Sequence, residues 1–170
     1  MLGFSAREAA AALDTSVPAV NSALQRARRA AEERLPERSQ QETIRALGDD
    51  RARAILHGYI DAWERNDVPR IVALLAEDVI YEMPPWAAWW QGRDTVEALL
   101  TRPPSGCIAD WRWLPVRASS QLAFAAYGLD GDRHQAVSIN VVTLREDRIA
   151  VSTGFVNPSL FARFGLPEAL

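Results

Sequence analysis

Between Asp14 and Ala30 the chain reads DTSVPAVNSALQRARRA. Ser16, Asn21, Ser22 and Gln25 are small or polar, and Arg26, Arg28 and Arg29 follow them. Asn and Gln amides can pair bidentately with adenine in a major groove, and guanidinium groups hold phosphate. Residues 15–31 contain no acid, so nothing in the stretch repels a polyanion. The same residues also suit an alanine-rich amphipathic helix with a solvated arginine face. Residue types alone leave both readings open.

The second unusual stretch, YEMPPWAAWWQG, gathers Met83, Pro84, Pro85, Trp86, Trp89 and Trp90. Strand alternation just before it places Val79, Tyr81 and Met83 on one face, expected inward, and Asp78, Ile80 and Glu82 on the other. The two prolines forbid an uninterrupted strand or helix through Trp86. Adjacent Trp89 and Trp90 must then point to opposite sides of any extended segment. At least one of Trp86, Trp89 and Trp90 is therefore expected at the edge of an open cavity. Apolar and aromatic walls with few polar groups suit a ligand pocket. They equally suit a packed interior or an interface.

Acid–base chemistry finds little support. The histidines are His57 and His134, and neither has a carboxylate at a convincing sequence spacing. Asp61, Asp78, Glu82 and Asp110 read as solvated groups or turn caps. There is no metal-ligand cluster, glycine-rich phosphate loop or nucleophile elbow in the sequence. No catalytic residue, metal or cofactor is assigned.

The elements that must position these residues fall into two regimes. Ser5 and Glu8 form a capping-box pattern, and Ala9, Ala12 and Leu13 then share a helix face. DTS breaks that helix. Ser16 can cap the next one, with Pro18 in its first turn. Val20 and Leu24 are expected to face back toward the first helix, giving a helix-turn-helix. The stretch LPERSQQETIRALG, opened by Pro36 and closed by Gly48, reads as a linker over 36–48 that is partly helical. Beyond it, Ile55, Leu56, Tyr59, Ile60 and Trp63 recur at helical spacing. DVPRIVALLAED predicts a second helix, DVIYEMP a strand, and GRDTVEALLTR a third helix ended by Pro103 and Pro104. DWRWLPVRA, QLAFAAYGL, QAVSINVVTLR and RIAVSTGFV predict four strands, punctuated by DGDR and EDR, and NPSLFARFG a short closing helix. Helices followed by a run of strands predict an α+β fold with an antiparallel sheet.

Bulk properties bound the rest. The 170 residues are 48% apolar and 24% charged, with a net charge of −3. That balance is globular and argues for neither nucleic acid nor membrane. The 19 basic residues are all arginine, which codon bias explains. The single Cys107 excludes an intramolecular disulfide and fits a reducing cytoplasm. No apolar run spans a bilayer, and a signal-peptide pattern is lacking. A soluble cytoplasmic protein is expected.

Two resemblances cover nearly the whole chain. LGFSAREAAAALDTSVPAVNSALQRAR resembles the C-terminal half of region 4 in extracytoplasmic-function sigma factors. YIDAWERNDVPRIVALLAEDVIYEMPPWAAWWQGRDTV and the tail NPSLFARFGLP resemble the SnoaL-like domain of the nuclear-transport-factor-2-like fold, which some of these sigma factors carry. The resemblance implies a partial helix-turn-helix over 1–35 and a SnoaL-like cone, helices on a curved antiparallel sheet, over 49–170. It places Ser16, Asn21, Ser22, Gln25, Arg26 and Arg28 at DNA-facing positions of a −35-element reader. Family members often carry basic residues where Asn21 and Ala23 stand, which implies weaker phosphate affinity here. It places the tryptophan segment near the mouth of the cone, with Tyr59, Trp63, Phe124 and Asn140 adding to a lining of Tyr81, Met83, Trp86, Trp89 and Trp90.

Region 2 and the first helices of region 4 have no counterpart in the sequence. The chain is thus expected to be the C-terminal part of a sigma factor, from a late start codon, a truncated gene or a decayed paralogue. Its implied partners are promoter DNA and RNA polymerase, both in the full-length context, with a small apolar ligand and a homodimer allowed by the fold. By this resemblance the appended domain modulates sigma activity by contacting the sigma core. The alternative is a stand-alone SnoaL-like isomerase, cyclase, hydrolase or small-molecule binder with a vestigial N-terminus.

Overall fold

The computed structural model describes residues 4–34, 38–101, 110–119 and 121–170. Cys107, Pro103 and Pro104 lie outside the described residues. The chain divides into two compact units, Met1–Arg38 and Ser39–Leu170.

The first unit is a pair of helices, α1 (Ala6–Ala12) and α2 (Val17–Arg34). Ser5 caps α1 as expected, with both halves of the Ser5–Glu8 capping box formed. Asp14 takes φ 47°, a left-handed conformation that short polar side chains tolerate better than most. That residue turns the chain, and the Ser16 hydroxyl accepts from the Ala19 amide at 3.3 Å to start α2. The face of α1 differs from the expected one. Ala10 is buried, Ala9 half-buried, and Ala12 and Leu13 exposed. A seven-residue helix has one inward row, and here it runs through Ala6 and Ala10 rather than Ala9 and Leu13. Leu13, Val20 and Leu24 line a groove of about 520 Å³ along α2, and Leu24 remains exposed.

The second unit opens with α3 (Gln40–Leu47), the helical part of the stretch read as a partly helical linker over 36–48. Ser39 and Glu42 form a complete capping box. Gln40 accepts from the Leu144 amide at 2.6 Å, and Ile44 and Leu47 pack on the core. Gly48, at φ 87°, ends α3 and starts α4 (Asp49–Glu64) in a conformation that favours glycine. The helical repeat read from sequence is the buried face of α4: Ile55, Leu56, Tyr59, Ile60 and Trp63. Helix α5 (Val68–Leu74) is capped by Asp67 and stops earlier than expected, because β1 (Leu75–Glu82) already begins at Leu75. A short strand β2 (Trp89–Gln91) and α6 (Arg93–Thr101) follow, then β3 (Trp111–Ala118), β4 (Gln121–Asp130), β5 (Arg133–Arg145) and β6 (Arg148–Phe155). A 3-10 helix, Pro158–Phe164, occupies the predicted closing helix. Asn157 caps it and Gly165 closes it in the left-handed conformation.

The six strands form one sheet in the order β2-β1-β6-β5-β4-β3. Neighbours are antiparallel except β1 and β6, which run parallel. Register shifts in the β1–β6, β4–β5 and β5–β6 pairs are the kind of irregularity that bends a sheet, giving a curved, unclosed α+β fold. Strand β4 is buried from Ala123 to Gly128 because both its faces are covered. Phe124 and Ala126 meet the helices, while Ala125 and Tyr127 meet Phe161 of the 3-10 helix. No helix of the described residues is long and apolar enough to cross a membrane.

Candidate functional site

All seven residues proposed to meet nucleic acid are exposed: Ser16, Asn21, Ser22, Gln25, Arg26, Arg28 and Arg29. Ser16 is the cap of α2 and the other six lie along it. Asn21, Gln25 and Arg28 follow one helical row, and Ser22, Arg26 and Arg29 the adjacent one. Among the described residues none of these arginines forms an ion pair. Polar groups precede three unneutralised cations on one side of the helix. That arrangement can meet base edges and phosphates together.

The residues expected to line a pocket divide. Tyr59, Trp63 and Phe124 are in the packed interior, where Trp113 joins them. Ring centroids lie 6.1 Å apart for Tyr59–Trp63, 5.8 Å for Tyr59–Phe124, 5.2 Å for Trp63–Trp113 and 5.1 Å for Trp113–Phe124. Trp111 extends the stack at 5.3 Å from Trp113. Edge and tilted contacts at these spacings are favourable ring geometries. The sequence reading missed Trp111 and Trp113. Their signal was present, since positions two apart on a strand share a face. Among the described residues the indole N–H groups of Trp111 and Trp113 are buried without a hydrogen-bond partner, two unmet donors in one stack.

Asn140 is buried beneath these rings. Its amide donates to the Ser138 hydroxyl at 2.9 Å, and it pairs with Gly154 across β5 and β6. A Cβ on Gly154 would stand 2.7 Å from Asn140 Oδ1, so this glycine is required by close approach. Burial, the largest influence, pushes the Tyr59 phenol above its ordinary pKa. Among the described residues the buried polar side chains, apart from ring hydroxyls and indoles, are Ser138, Asn140 and Ser152. These buried side chains offer amide and hydroxyl groups, and the Glu64 carboxylate at the end of α4 accepts from the Trp113 amide at 3.4 Å.

Tyr81 and Trp90 are half-buried and pack on each other at 6.1 Å. Met83 is also half-buried, whereas Trp86 and Trp89 are 58% and 63% exposed. Trp89 and Trp90 do point apart, one out and one in. A cavity of about 960 Å³ opens elsewhere in this unit, between Ala52 and Leu56 of α4, the β3–β4 hairpin and Phe164. None of the nine expected pocket residues lines it. The reason is topological: the tryptophan segment borders β2 at one edge of the sheet, and the cavity borders β3 at the other.

The carboxylates are engaged at the surface. Asp61 pairs with Arg65 and Arg70, each at 2.8 Å, and Glu82 accepts from Thr153 at 2.8 Å. Asp78 is paired with Arg145, whose guanidinium holds the carboxyl below its ordinary pKa. One expectation is corrected: His134 Nε2 lies 3.4 Å from Asp110 Oδ1. Twenty-four positions separate them, but Leu129 donates to the Asp110 carbonyl and pairs with His134, which brings the two together. Arg112 holds the same Asp110 oxygen at 2.7 Å, and the pair stands apart from the aromatic interior.

A family model described as a SnoaL-like domain matches residues 56–152. Over its whole length the chain is 35% identical to the ECF RNA polymerase sigma factor SigG of Mycobacterium tuberculosis strain H37Rv, and equally to that of strain CDC 1551. The alignment covers 100% of this chain and 46% of each relative; the chain spans about half the length of the curated relatives it matches. Two solved structures share the fold. An NTF-2-like protein of unknown function from Burkholderia xenovorans LB400 superposes with a TM-score of 0.57 at 15% identity, over 65% of this chain and 86% of that one. A putative ketosteroid isomerase from Kribbella flavida DSM 17836 superposes with a TM-score of 0.53 at 22% identity, over 64% and 78%.

Proposed function

The chain belongs to the SnoaL-like domain family, and from that premise we propose that it serves transcription initiation as the C-terminal part of an alternative sigma factor. The observation that carries this reading is the extent of the sigma-factor match. The 35% identity runs over the entire chain, so it includes the two-helix unit as well as the SnoaL-like unit. A match confined to the second unit would have pointed to a pocket protein alone.

In this reading residues 1–35 are a partial helix-turn-helix that meets the −35 promoter element. Asn21, Ser22 and Gln25 face the bases, and Arg26, Arg28 and Arg29 face phosphates, with Ser16 at the helix start. Residues 49–170, with α3 packed on them, form the regulatory unit and carry no catalytic role. Promoter DNA and RNA polymerase are the partners, and the cytoplasm is the compartment. Exposed Arg26, Arg28 and Arg29, which form no ion pair among the described residues, support the DNA contact.

Fluorescence anisotropy with a labelled −35-element duplex tests the reading. Affinity is expected to fall steeply between low and moderate salt, because phosphate contacts release counterions. Arg26→Ala with Arg28→Ala should weaken binding and flatten the logarithmic salt slope by about 2, roughly one per lost phosphate contact. No binding at low salt, or equal binding by the double variant, would sink it.

A further inference from the structure

We propose that the cavity between α4 and the β3–β4 hairpin is a binding site for a small organic carboxylate with an apolar body. Its volume of about 960 Å³ lies at the upper end of the range for small-molecule sites, roughly 300–1,000 Å³. Four parts of the second unit build it: α3, α4, the β3–β4 hairpin and the end of the 3-10 helix. Ile44, Leu56, Leu122 and Phe164 give it an apolar floor, enough to take an aliphatic chain or a ring.

The charged groups on its walls are unbalanced. Arg53, Arg117 and Arg163 line it, with His57 beside them, against Asp49 as the one acid of the lining. Three guanidinium charges against one carboxylate leave an excess of two positive charges. Arg53 is partly neutralised by Asp50 at 2.8 Å. Among the described residues Arg117 and Arg163 form no ion pair. They come from different elements, β3 and the 3-10 helix, and reach the same recess. The planar guanidinium fork matches a carboxylate in a way that an ammonium does not. A neutral apolar ligand would leave these cations unanswered, and a cation would be repelled. A carboxylate head at the arginines with its apolar body over Leu56, Leu122 and Phe164 satisfies both halves of the wall.

This site is independent of the DNA-reading proposal, since every residue of its lining belongs to the second unit. The test is calorimetry and amide-shift mapping on the full chain, with octanoate as probe and octan-1-ol as its neutral match. Octanoate is expected to bind at least about tenfold more tightly than the alcohol, a margin in keeping with hydrogen bonds to a charged group. Its shifts should centre on Leu56, Leu122 and Phe164. Arg117→Gln with Arg163→Gln should weaken octanoate by at least about tenfold and leave the alcohol unchanged. Arg51→Gln with Arg133→Gln removes the same charge away from the cavity and should leave octanoate binding intact. Circular dichroism confirms that each variant is folded; all four arginines are exposed. Absence of octanoate binding, equal binding of acid and alcohol, equal weakening by the two double variants, or shifts centred on Trp86 and Trp89 would each overturn the proposal. Failure of DNA binding would leave it untouched.

Discussion

Replacing Gly154 by alanine probes the most constrained contact in the interior of the second unit. The added Cβ would stand 2.7 Å from Asn140 Oδ1, 3.8 Å from its Cγ and 3.9 Å from the Glu82 carbonyl oxygen. Only the first contact is too close, so the amide of Asn140 must move. It cannot turn freely, because its nitrogen donates to the Ser138 hydroxyl at 2.9 Å and the site is buried. Overpacking of this kind costs about 1–3 kcal/mol, and losing the hydrogen bond adds about 1 kcal/mol. A total of about 2–4 kcal/mol is expected for Gly154→Ala. Urea unfolding followed by far-UV circular dichroism measures it. The diagnostic step is the same substitution in an Asn140→Ala background. The obstructing oxygen is then gone, and Gly154→Ala should cost less than about 1 kcal/mol, a coupling large enough to stand out in a double-mutant cycle. An equal cost in both backgrounds would refute the steric argument. So would a neutral Gly154→Ala in the otherwise unaltered chain.

Three further outcomes follow from the same structure. Asp78 carries a depressed pKa through Arg145, so the pair contributes stability above the unfolded carboxyl value and loses it as pH falls through the folded one. The stability difference between the unaltered chain and Asp78→Asn should be constant near neutrality, begin to fall as pH drops below about 4 and vanish only once pH has passed below the depressed folded value, as read from urea midpoints. Ser39→Ala removes the cap of α3 and should destabilise the second unit by about 0.5–2 kcal/mol, whereas a true linker residue would show no change in the same measurement. Trp86 and Trp89 are the well-exposed indoles, so acrylamide should quench part of the fluorescence readily, and Trp86→Phe with Trp89→Phe should abolish that accessible fraction.

Local signals were legible where a residue's role depends on its immediate neighbours. The Ser5–Glu8 box, the Ser16 cap, the buried row from Ile55 to Trp63 and the Asn157–Gly165 frame of the 3-10 helix could all be read directly. Helix α3 was legible only as a partly helical linker, although Ser39 and Glu42 have the same spacing as Ser5 and Glu8. Its two inward apolar residues, Ile44 and Leu47, are too few to raise a helical pattern above a polar background. Strand β2 is three residues long, and its conformation comes from pairing with β1. The boundary at Leu75 was hidden for a different reason. The run IVALLA is apolar on both sides of it, so periodicity cannot show where a helix face becomes a strand buried on both faces.

The candidate sites divide along the same line. Every residue proposed to meet DNA comes from one helix and its cap, and helical spacing with a run free of acids is enough to single it out. The cavity draws on four elements between Ile44 and Leu166, and no short window contains more than a fragment of it. The aromatic count misdirected the search, because six tryptophans suggested walls around a space. Five of the rings in this unit, Tyr59, Trp63, Trp111, Trp113 and Phe124, instead pack against one another and occupy the interior that a pocket there would need. Charge points to the more informative distribution. Uncharged Ser138, Asn140 and Ser152 are buried under the rings, while Arg117 and Arg163, without an ion pair among the described residues, stand at the far edge beside an apolar floor. A ligand gains most where apolar surface and an unanswered charge coincide, and in the described part of this unit the cavity beside β3 combines the two.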